Sequence, residues 1–186
     1  MSLFHSIAIV GHARAGKDTV AEHLVCRYGY LRVALADPLK QALRVLNPLV
    51  PTATGARRLD DLVETEGWEG AKHASPDIRR LMQTLGTDIV RELFGDDSWV
   101  RLAVRTVDAA LAEGRRVVIT DVRYPNEARA FRERGLRLIR IQRPGFDQGL
   151  EHSSEMFYRD IDCYADLANN STVDALLRRV DDLLAD

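Results

Sequence analysis

The sequence has few cysteines, few lysines and no long apolar run, and each shortage excludes a class of protein. Its 186 residues include two cysteines, Cys26 and Cys163, without CxxC spacing. Neither a disulfide framework nor a structural zinc site is therefore expected, and a reducing, cytoplasmic compartment is the default. The apolar run near the N-terminus lacks a basic leader and is too short to span a bilayer, so we expect no signal peptide and no membrane span.

The charge balance excludes a second group of functions. Of the 26 basic residues 23 are arginine, while lysine stands at positions 17, 40 and 72 alone, and 28 acidic residues leave a net charge of −2. A sequence-blind binder of nucleic acid or of anionic membranes needs a strong positive excess, so neither partner is expected. Hydrophobic residues make up 46% of the chain, which is enough for a folded core.

Apolar runs alternate with amphipathic segments, the order typical of an α/β protein with a mostly parallel sheet. Prolines and glycines favour a mobile, arginine-flanked loop over 143–164, whereas residues 47–55 are predicted to be an ordinary loop and the segment from there to Ser75 carries no clear pattern. Ligands of such sheets bind at the carboxyl ends of the strands. Strands are predicted over residues 6–10, 31–36, 117–120, 136–141 and 166–169, and helices over 17–28, 37–46, 76–94, 98–113, 125–135 and 171–184.

Residues 11–19, GHARAGKDT, follow the first strand and open the first helix. In this context a GxxxxGK pattern indicates a phosphate-binding loop, because its glycines let backbone N–H groups face phosphate oxygens and its lysine can bridge the outer phosphates. A glycine-rich turn without a ligand is the alternative. The Ser or Thr that usually follows the lysine is replaced by Asp18, with Thr19 behind it. The Asp18 carboxylate is either a ligand of Mg²⁺ or a complement to the helix dipole.

A second acidic group follows the apolar run at 117–120. Asp121 ends that run, and the sequence continues through Arg123 to Glu127 in TDVRYPNEA. A carboxylate at the end of such a strand can approach the metal and phosphates of a phosphoryl-transfer site, and Arg123 can fork onto the phosphate of an acceptor. The alternative is an ion pair between Arg123 and Glu127 that fixes the loop.

One face of the helix predicted over 76–94 carries Arg79, Gln83 and Gly86, with Thr87 beside them. A glycine inside a helix costs roughly 1 kcal/mol relative to alanine, so it normally reflects the close approach of another group. Either a nucleobase stacks at Gly86 while Gln83 hydrogen-bonds its edge, or a neighbouring helix packs there.

The loop after residue 141 carries Arg143 and, farther along, His152 in the segment EHSSE. An arginine-bearing loop that closes over phosphates would exclude water and stabilise the charge that develops during transfer. His152 is equally consistent with an ordinary surface position.

The order and spacing of these motifs resemble the deoxynucleoside monophosphate kinase family, a group of P-loop nucleotide kinases of phages and bacteria. GKDT departs from the general phosphate-loop pattern but is similar to the version found in this family. The resemblance implies a P-loop kinase-type three-layer fold, with a parallel sheet between helices and a small lid at about 143–164. It implies one domain over residues 1–186, with acceptor-binding helices at about 37–113. The matching segments are GHARAGKDT, ADPLK, RRLMQTLGTDIVR, the tryptophan of DSWV, TDVRYPNEA, HSSE and ADLANNSTVDALL.

The resemblance further implies ATP-dependent phosphorylation of deoxynucleoside monophosphates to diphosphates, with ATP and Mg²⁺ as cofactors, in a bacterial or phage-infected cytoplasm. Small nucleotides are the expected partners, and a homodimer is compatible with this expectation. Taken with the motifs, it assigns ATP binding to Gly11, Ala13, Arg14, Ala15, Gly16, Lys17, Asp18 and Thr19, and Mg²⁺ binding to Asp18 and Asp121. It assigns the acceptor site to Asp37, Lys40, Arg79, Gln83, Gly86, Thr87, Trp99, Asp121, Arg123, Glu127 and His152, and stabilisation of the transferred group to Lys17, Arg123 and Arg143.

Two other functions stay open at this point. One is a P-loop kinase for another phosphorylated metabolite, such as dephospho-coenzyme A or phosphomevalonate. The other is a switch that hydrolyses a nucleotide without an acceptor, although the NKxD motif by which GTPases recognise guanine does not occur in the sequence.

The two side chains after Lys17 make separable predictions about magnesium. Asp18→Ala should raise the Mg²⁺ concentration needed for half-maximal activity far more than Thr19→Ala does, because a carboxylate is the stronger magnesium ligand. Magnesium titrations of the two variants measure this difference. Equal titration curves would contradict a metal role for Asp18.

Overall fold

The chain divides into two compact units in the computed structural model, which describes residues 5–145 and 157–185. The first unit comprises Met1–Leu35 with Val100–Asp186, and the second comprises Ala36–Trp99. The second unit is thus inserted in the sequence of the first. Within the described residues, no helix has both the length and the apolar character needed to cross a membrane.

A five-stranded sheet forms the centre of the first unit. Every pairing in it is parallel, and Ile7 of the central strand lies opposite both Val118 and Arg137. The mostly parallel sheet predicted from the sequence is therefore confirmed. In spatial order its strands are β2 (Leu31–Val33), β5 (Val117–Val122), β1 (Ile7–Val10), β6 (Arg137–Gln142) and β7 (Ala165–Ala168).

Both faces of this sheet are buried. Ile7 and Ile9 of β1 pack in one apolar cluster with residues of the first and last helices, while Ala8 and Val10 point to the opposite face and are equally inaccessible. Burial of one such aliphatic side chain contributes about 1.5–3 kcal/mol, so β1 is held firmly where the phosphate-loop sequence begins. The helices of this unit are α1 (Lys17–Tyr28), most of α6 (Ser98–Ala112), α7 (Pro125–Arg132) and α8 (Val173–Ala185), with a 3₁₀ turn at Phe157–Asp160.

The second unit is helical, with one β-hairpin and a core of its own. Leu39, Leu43, Leu62 and Ile78 are buried together in that core. Its second helix, Leu59–Ala74, bends at Gly67, whose φ of 67° and ψ of 174° are accessible in practice to glycine alone. Its elements are α2 (Ala36–Leu46), β3 (Leu49–Thr52), β4 (Gly55–Arg58), α3 (Leu59–Ala74), α4 (Asp77–Gln83), a π-helix (Thr84–Ile89) and α5 (Val90–Phe94).

The prediction of a loop over residues 47–55 is wrong, because β3 and the start of β4 form a hairpin there. The Thr52 hydroxyl donates to the Gly55 carbonyl over 2.6 Å and accepts the Thr54 N–H over 3.3 Å, which closes the turn. Pro51 lies opposite Ala56 in this two-stranded ladder. A strand with an open edge tolerates the missing N–H of proline, so the proline and glycine that predicted a loop belong to a hairpin instead.

The prediction of one continuous helix over residues 76–94 is also wrong. The structure divides it into α4, the π-helix and α5. The widened turn contains Gly86, the residue of lowest helix propensity in the segment. π-Helical turns inside α-helices are frequent at functional sites, so this irregularity falls where the sequence places part of the acceptor site.

Asp181 ties α8 to the C-terminal half of α1. His23 Nε2 lies 2.6 Å from Asp181 Oδ1, and the Tyr28 hydroxyl donates to the same oxygen over 2.9 Å. Burial alone would raise the pKa of Asp181, but the hydrogen bonds from His23 and Tyr28 outweigh it, so the pKa of this carboxyl lies below its ordinary value. The charged form of Asp181 therefore stabilises the contact between the two helices that flank β1.

Asp181→Ala should lower the free energy of unfolding at pH 7 by about 1 kcal/mol, as expected for a half-exposed hydrogen-bonded ion. A carboxyl whose pKa is lowered in the folded state stabilises the fold above its unfolded pKa of about 3.9, and this contribution is lost as the pH falls through the folded pKa. The difference from wild type should therefore shrink when urea unfolding is repeated below about pH 4. Asp182→Ala, an exposed neighbour, is the control. A difference that stays constant or grows in acid would contradict this account.

Candidate active site

Residues 11–19 connect the end of β1 to α1 with an unusual backbone. Gly11, Arg14 and Gly16 have φ values of 149°, 62° and 106°. A positive φ at the non-glycine Arg14 is uncommon, and such strained residues concentrate at binding sites. Gly16 is the N-cap of α1 and makes no side-chain cap hydrogen bond, and the positive end of the α1 dipole at this position favours an anion.

The ammonium group of Lys17 is folded back onto this loop. Its Nζ donates to the carbonyl oxygens of Gly11 over 2.8 Å and of His12 over 2.7 Å, and the residue is buried. Two carbonyl partners offset part of the cost of burying a charge. The cation is thereby held against the backbone that would surround a phosphate.

Neighbouring strands leave no room for a side chain at the two glycines of the loop. A Cβ at Gly11 would lie 2.5 Å from the Ile141 carbonyl oxygen, and one at Gly16 would lie 2.7 Å from Asn169 Nδ2. The same Nδ2 donates to the Ala15 carbonyl over 2.9 Å. The end of β6 and the residue after β7 thus pack against one side of the loop. Asn169 was not predicted to belong to the site, although it lies in the segment ADLANN that contributed to the family resemblance.

Two aromatic contacts attach the 3₁₀ turn to the loops of the site. The His12 ring lies 6.0 Å from that of Tyr158, and the Tyr124 ring lies 5.6 Å from that of Phe157. His12 is almost inaccessible and its Nδ1 lies 2.7 Å from the Ala13 carbonyl, so it supports the loop from within. The sequence contains no indication that His12 supports the loop, because His12 lacks the metal-type spacing that would single out a histidine.

Asp121 stands at the carboxyl edge of the sheet, beside the end of β1. The pairing of Val10 with Val122 brings these two strand ends together. The Leu35 N–H donates to Asp121 Oδ1 over 2.8 Å, which orients the carboxylate. Asp121 therefore lies on the strand next to the one that leads into residues 11–19.

Glu127 fixes the loop between β5 and α7 through the backbone. Its Oε2 accepts the N–H groups of Arg123 over 2.8 Å and of Tyr124 over 3.1 Å, and the residue is 4% exposed. The sequence offered an acceptor contact or an ion pair with Arg123. The structure adds a third role, in which the Glu127 carboxylate caps the start of α7 and shapes the segment that carries Arg123.

In the second unit, Trp99 is bonded to the π-helix. Its indole Nε1 donates to the Gly86 carbonyl over 2.8 Å, which compensates for the altered hydrogen bonding of the widened turn. A Cβ at Gly86 would lie 3.1 Å from Leu39 Cδ2. Gly86 therefore accommodates the neighbouring helix α2, as the second interpretation of this glycine expected, while Gln83 on the same segment is exposed and Thr87 half-buried.

Basic side chains of the second unit gather around α3. Lys40 lies 3.6 Å from Asp37 and above the ring of Trp68, 5.9 Å from its centroid. A hydrogen bond from Lys72, stronger than the opposing effect of burial, lowers the pKa of Glu69, and the charges of Arg79 and Lys40 lower it further. The positive charges of Lys40, Lys72 and Arg79 thus all act on the Glu69 carboxylate.

The predicted site residues therefore fall into two sets, one in each unit. Arg143 is exposed just after β6. His152 and residues 146–156 of the predicted lid lie outside the described residues. Across the described ranges, no group of three His, Cys, Asp or Glu side chains could hold a metal ion by itself.

Comparison with known proteins agrees with the family resemblance found in the sequence. A family model described as deoxynucleotide monophosphate kinase matches residues 63–180. A protein of Acanthamoeba polyphaga mimivirus, to which the same activity is provisionally ascribed, is 30% identical over 190 residues, covering 94% of this chain and 93% of that one. The deoxynucleotide monophosphate kinase of Escherichia phage RB69 is 38% identical over 79 residues, 42% of this chain and 32% of the phage protein. A gluconokinase from Sinorhizobium meliloti 1021 shares the fold, with a TM-score of 0.50, 14% identity and coverage of 100% and 94% of the two chains.

Glu127→Ala should lower the free energy of unfolding by about 2 kcal/mol, because it leaves two backbone N–H groups without their charged acceptor. Urea unfolding measures this loss, and Glu133→Ala, an exposed position just after α7, is the control. Unchanged stability of the Glu127 variant would show that this carboxylate does not cap α7.

Proposed function

The chain belongs to the deoxynucleotide monophosphate kinase family, and we propose that residues 11–19 bind the phosphates of ATP while a deoxynucleoside monophosphate accepts the terminal phosphoryl group. The products are the deoxynucleoside diphosphate and ADP. The observation that carries this assignment is the loop between β1 and α1, with its uncapped helix start and with Lys17 held against it. These features suit a polyphosphate.

On this proposal the donor site lies in the first unit. Backbone amides of the loop and the dipole of α1 favour the negative charge of the phosphates. Lys17 supplies a compact charge for the outer phosphates, since a lysine ammonium is smaller and less directional than an arginine fork. The residues assigned to ATP are Gly11, Ala13, Arg14, Ala15, Gly16, Lys17, Asp18 and Thr19.

Magnesium is proposed to join the donor nucleotide. Asp18 is exposed in the first turn of α1, and Asp121 is half-buried at the end of β5. Two carboxylates that supplement phosphate oxygens match the ligand chemistry of Mg²⁺ in kinases. The ion would neutralise charge on the phosphates of the donor.

Residues of both units are assigned to the acceptor. In the second unit, the cations around Glu69 suit a phosphate and the exposed Gln83 suits the polar edge of a base. Trp99 contributes there by shaping the π-helix, and Gly86 by allowing α2 to approach. The residues assigned are Asp37, Lys40, Arg79, Gln83, Gly86, Thr87 and Trp99, with Asp121, Arg123, Glu127 and His152 from the remainder of the chain.

The proposed reaction requires positioning and charge stabilisation rather than a strong base. An oxygen of the acceptor phosphate is already anionic, so it attacks the γ-phosphorus of ATP directly. The new P–O bond forms as the bond from the γ-phosphorus to the β–γ bridging oxygen breaks, and the electron pair leaves on ADP. Lys17, Arg123 and Arg143 are proposed to stabilise the charge spread over the transferred group.

The experiment that tests the function is ADP release measured with individual phosphorylated acceptors. Deoxynucleoside monophosphates should accelerate ADP release from ATP, and the matching diphosphate should appear in equal amount. Acceleration by dephospho-coenzyme A or phosphomevalonate instead would assign the chain to another metabolite. ADP release that no acceptor accelerates would exclude a kinase function.

Arg123→Ala should raise the KM for the acceptor and lower kcat while leaving the dissociation constant of ATP nearly unchanged. The reason is that Arg123 is assigned to the acceptor phosphate and the transferred group, not to the phosphate loop. Arg129→Ala, an exposed arginine on α7, is the matched control. Loss of acceptor use and ATP binding together would indicate that Arg123 has a structural role.

A further inference from the structure

Asn169 is held from two sides at the carboxyl end of β7. Its backbone N–H donates to the Gln142 carbonyl over 2.6 Å, which continues the ladder one residue beyond the last β6–β7 pair, Gln142 with Ala168. From α8, the Arg179 guanidinium donates to the Ala168 carbonyl, and to Asn170 Oδ1 over 3.2 Å. The backbone at Asn169 is therefore fixed by both the sheet and a helix.

The side chain of Asn169 reaches from this fixed point to the phosphate loop. Its Nδ2 donates to the Ala15 carbonyl over 2.9 Å, and Ala15 is fully buried. The amide also occupies the space that a Cβ at Gly16 would need, at 2.7 Å. Glycine at position 16 suits its φ of 106° and also leaves room for the Asn169 amide.

This hydrogen bond determines the direction of an amide that is expected to meet a phosphate. The peptide bond between Ala15 and Gly16 is trans, so its C=O and N–H point in opposite directions. Because the Ala15 carbonyl is directed at Asn169, the Gly16 N–H points away from Asn169. Rotation of this peptide would turn a carbonyl oxygen, with its partial negative charge, toward the place of the N–H and repel an anion.

We propose that Asn169 is a positioning residue for ATP binding, which holds the peptide between Ala15 and Gly16 so that the Gly16 N–H donates to a phosphate oxygen. This inference rests on the proposed function, because it takes residues 11–19 as the site of the ATP phosphates. It assigns a role to the segment ADLANN, whose contribution to the resemblance had no chemical explanation.

The test compares Asn169→Asp with Asn170→Asp in the 186-residue chain. Both changes replace an amide with a carboxylate, one residue apart, but Asn170 is exposed and contacts Arg179 rather than the loop. A carboxylate at 169 cannot donate to the Ala15 carbonyl and would repel it. Asn169→Asp should raise the KM for ATP and the dissociation constant of ADP by about tenfold or more, which corresponds to the loss of one partly buried hydrogen bond. The acceptor KM should change less than twofold, and Asn170→Asp should leave all three values within twofold of wild type.

Inorganic tripolyphosphate separates an effect on phosphates from an effect on the adenine base. It should inhibit in competition with ATP, and Asn169→Asp should raise its inhibition constant by the same factor as the KM for ATP. An unchanged inhibition constant beside a raised KM for ATP would overturn the proposal, because Asn169 would then act on the base.

Asn169→Ala repeats the test without an added charge, and thermal unfolding of each free variant checks the fold. A folded Asn169→Ala with unchanged ADP affinity would overturn the proposal. So would failure of both Asn169 variants to fold, since Asn169 would then be a structural residue of the whole unit. If the wild-type chain forms no deoxynucleoside diphosphate, the proposed function fails. If it does form the diphosphate and the Asn169 variants match it, the positioning role alone fails.

Discussion

The absence of space for a Cβ at Gly11 and Gly16 is the constraint on which the candidate site depends. At Gly11 the obstacle is a backbone carbonyl of β6, and at Gly16 it is the amide of Asn169. The carbonyl at Gly11 is backbone of an inner strand, and the Asn169 amide at Gly16 is hydrogen-bonded to the loop. The loop is therefore shaped by the sheet edge around it as much as by its own sequence. A loop whose amides are directed before the ligand arrives loses less conformational entropy on binding.

The lysine and the arginines of the first unit have different surroundings. Lys17 is buried beside the loop and donates to two of its carbonyls, whereas several arginines of this unit pair with carboxylates. Arg134 donates to Asp108 and Arg140 to Asp166. The large arginine count therefore has a mixed origin. Many arginines form surface ion pairs of small energetic value, and a few, among them Arg123 and Arg143, remain assigned to phosphate groups by the proposed function.

The sequence predicted the first unit well and the second unit poorly, for physical reasons. A buried strand, a glycine loop and an amphipathic helix each have a local signature, so β1, the loop and α1 were predicted nearly to the residue. The hairpin at 49–58 was missed because proline and glycine are compatible with both a loop and an open-edged strand pair. The π-helix was missed because its contacts are not local: Trp99, 13 residues beyond Gly86, donates to the Gly86 carbonyl, and no local pattern encodes such a bond. Asn169 and the capping role of Glu127 were missed for a similar reason. Asn169 bonds to Ala15, which is far away in the sequence. Glu127 accepts backbone N–H groups of Arg123 and Tyr124, whereas its spacing to Arg123 had suggested an ion pair between the two side chains.

The central claim is that residues 11–19 and Lys17 form the ATP phosphate site. Calorimetric titration of ATP into the wild-type chain and into Lys17→Ala, each with Mg²⁺, tests it most directly. The account predicts that one ATP binds per wild-type chain and that Lys17→Ala binds it at least about tenfold more weakly, since hydrogen bonds to a charged group contribute about 1.5–3 kcal/mol. Equal affinity of the two proteins, with the variant correctly folded, would contradict the account.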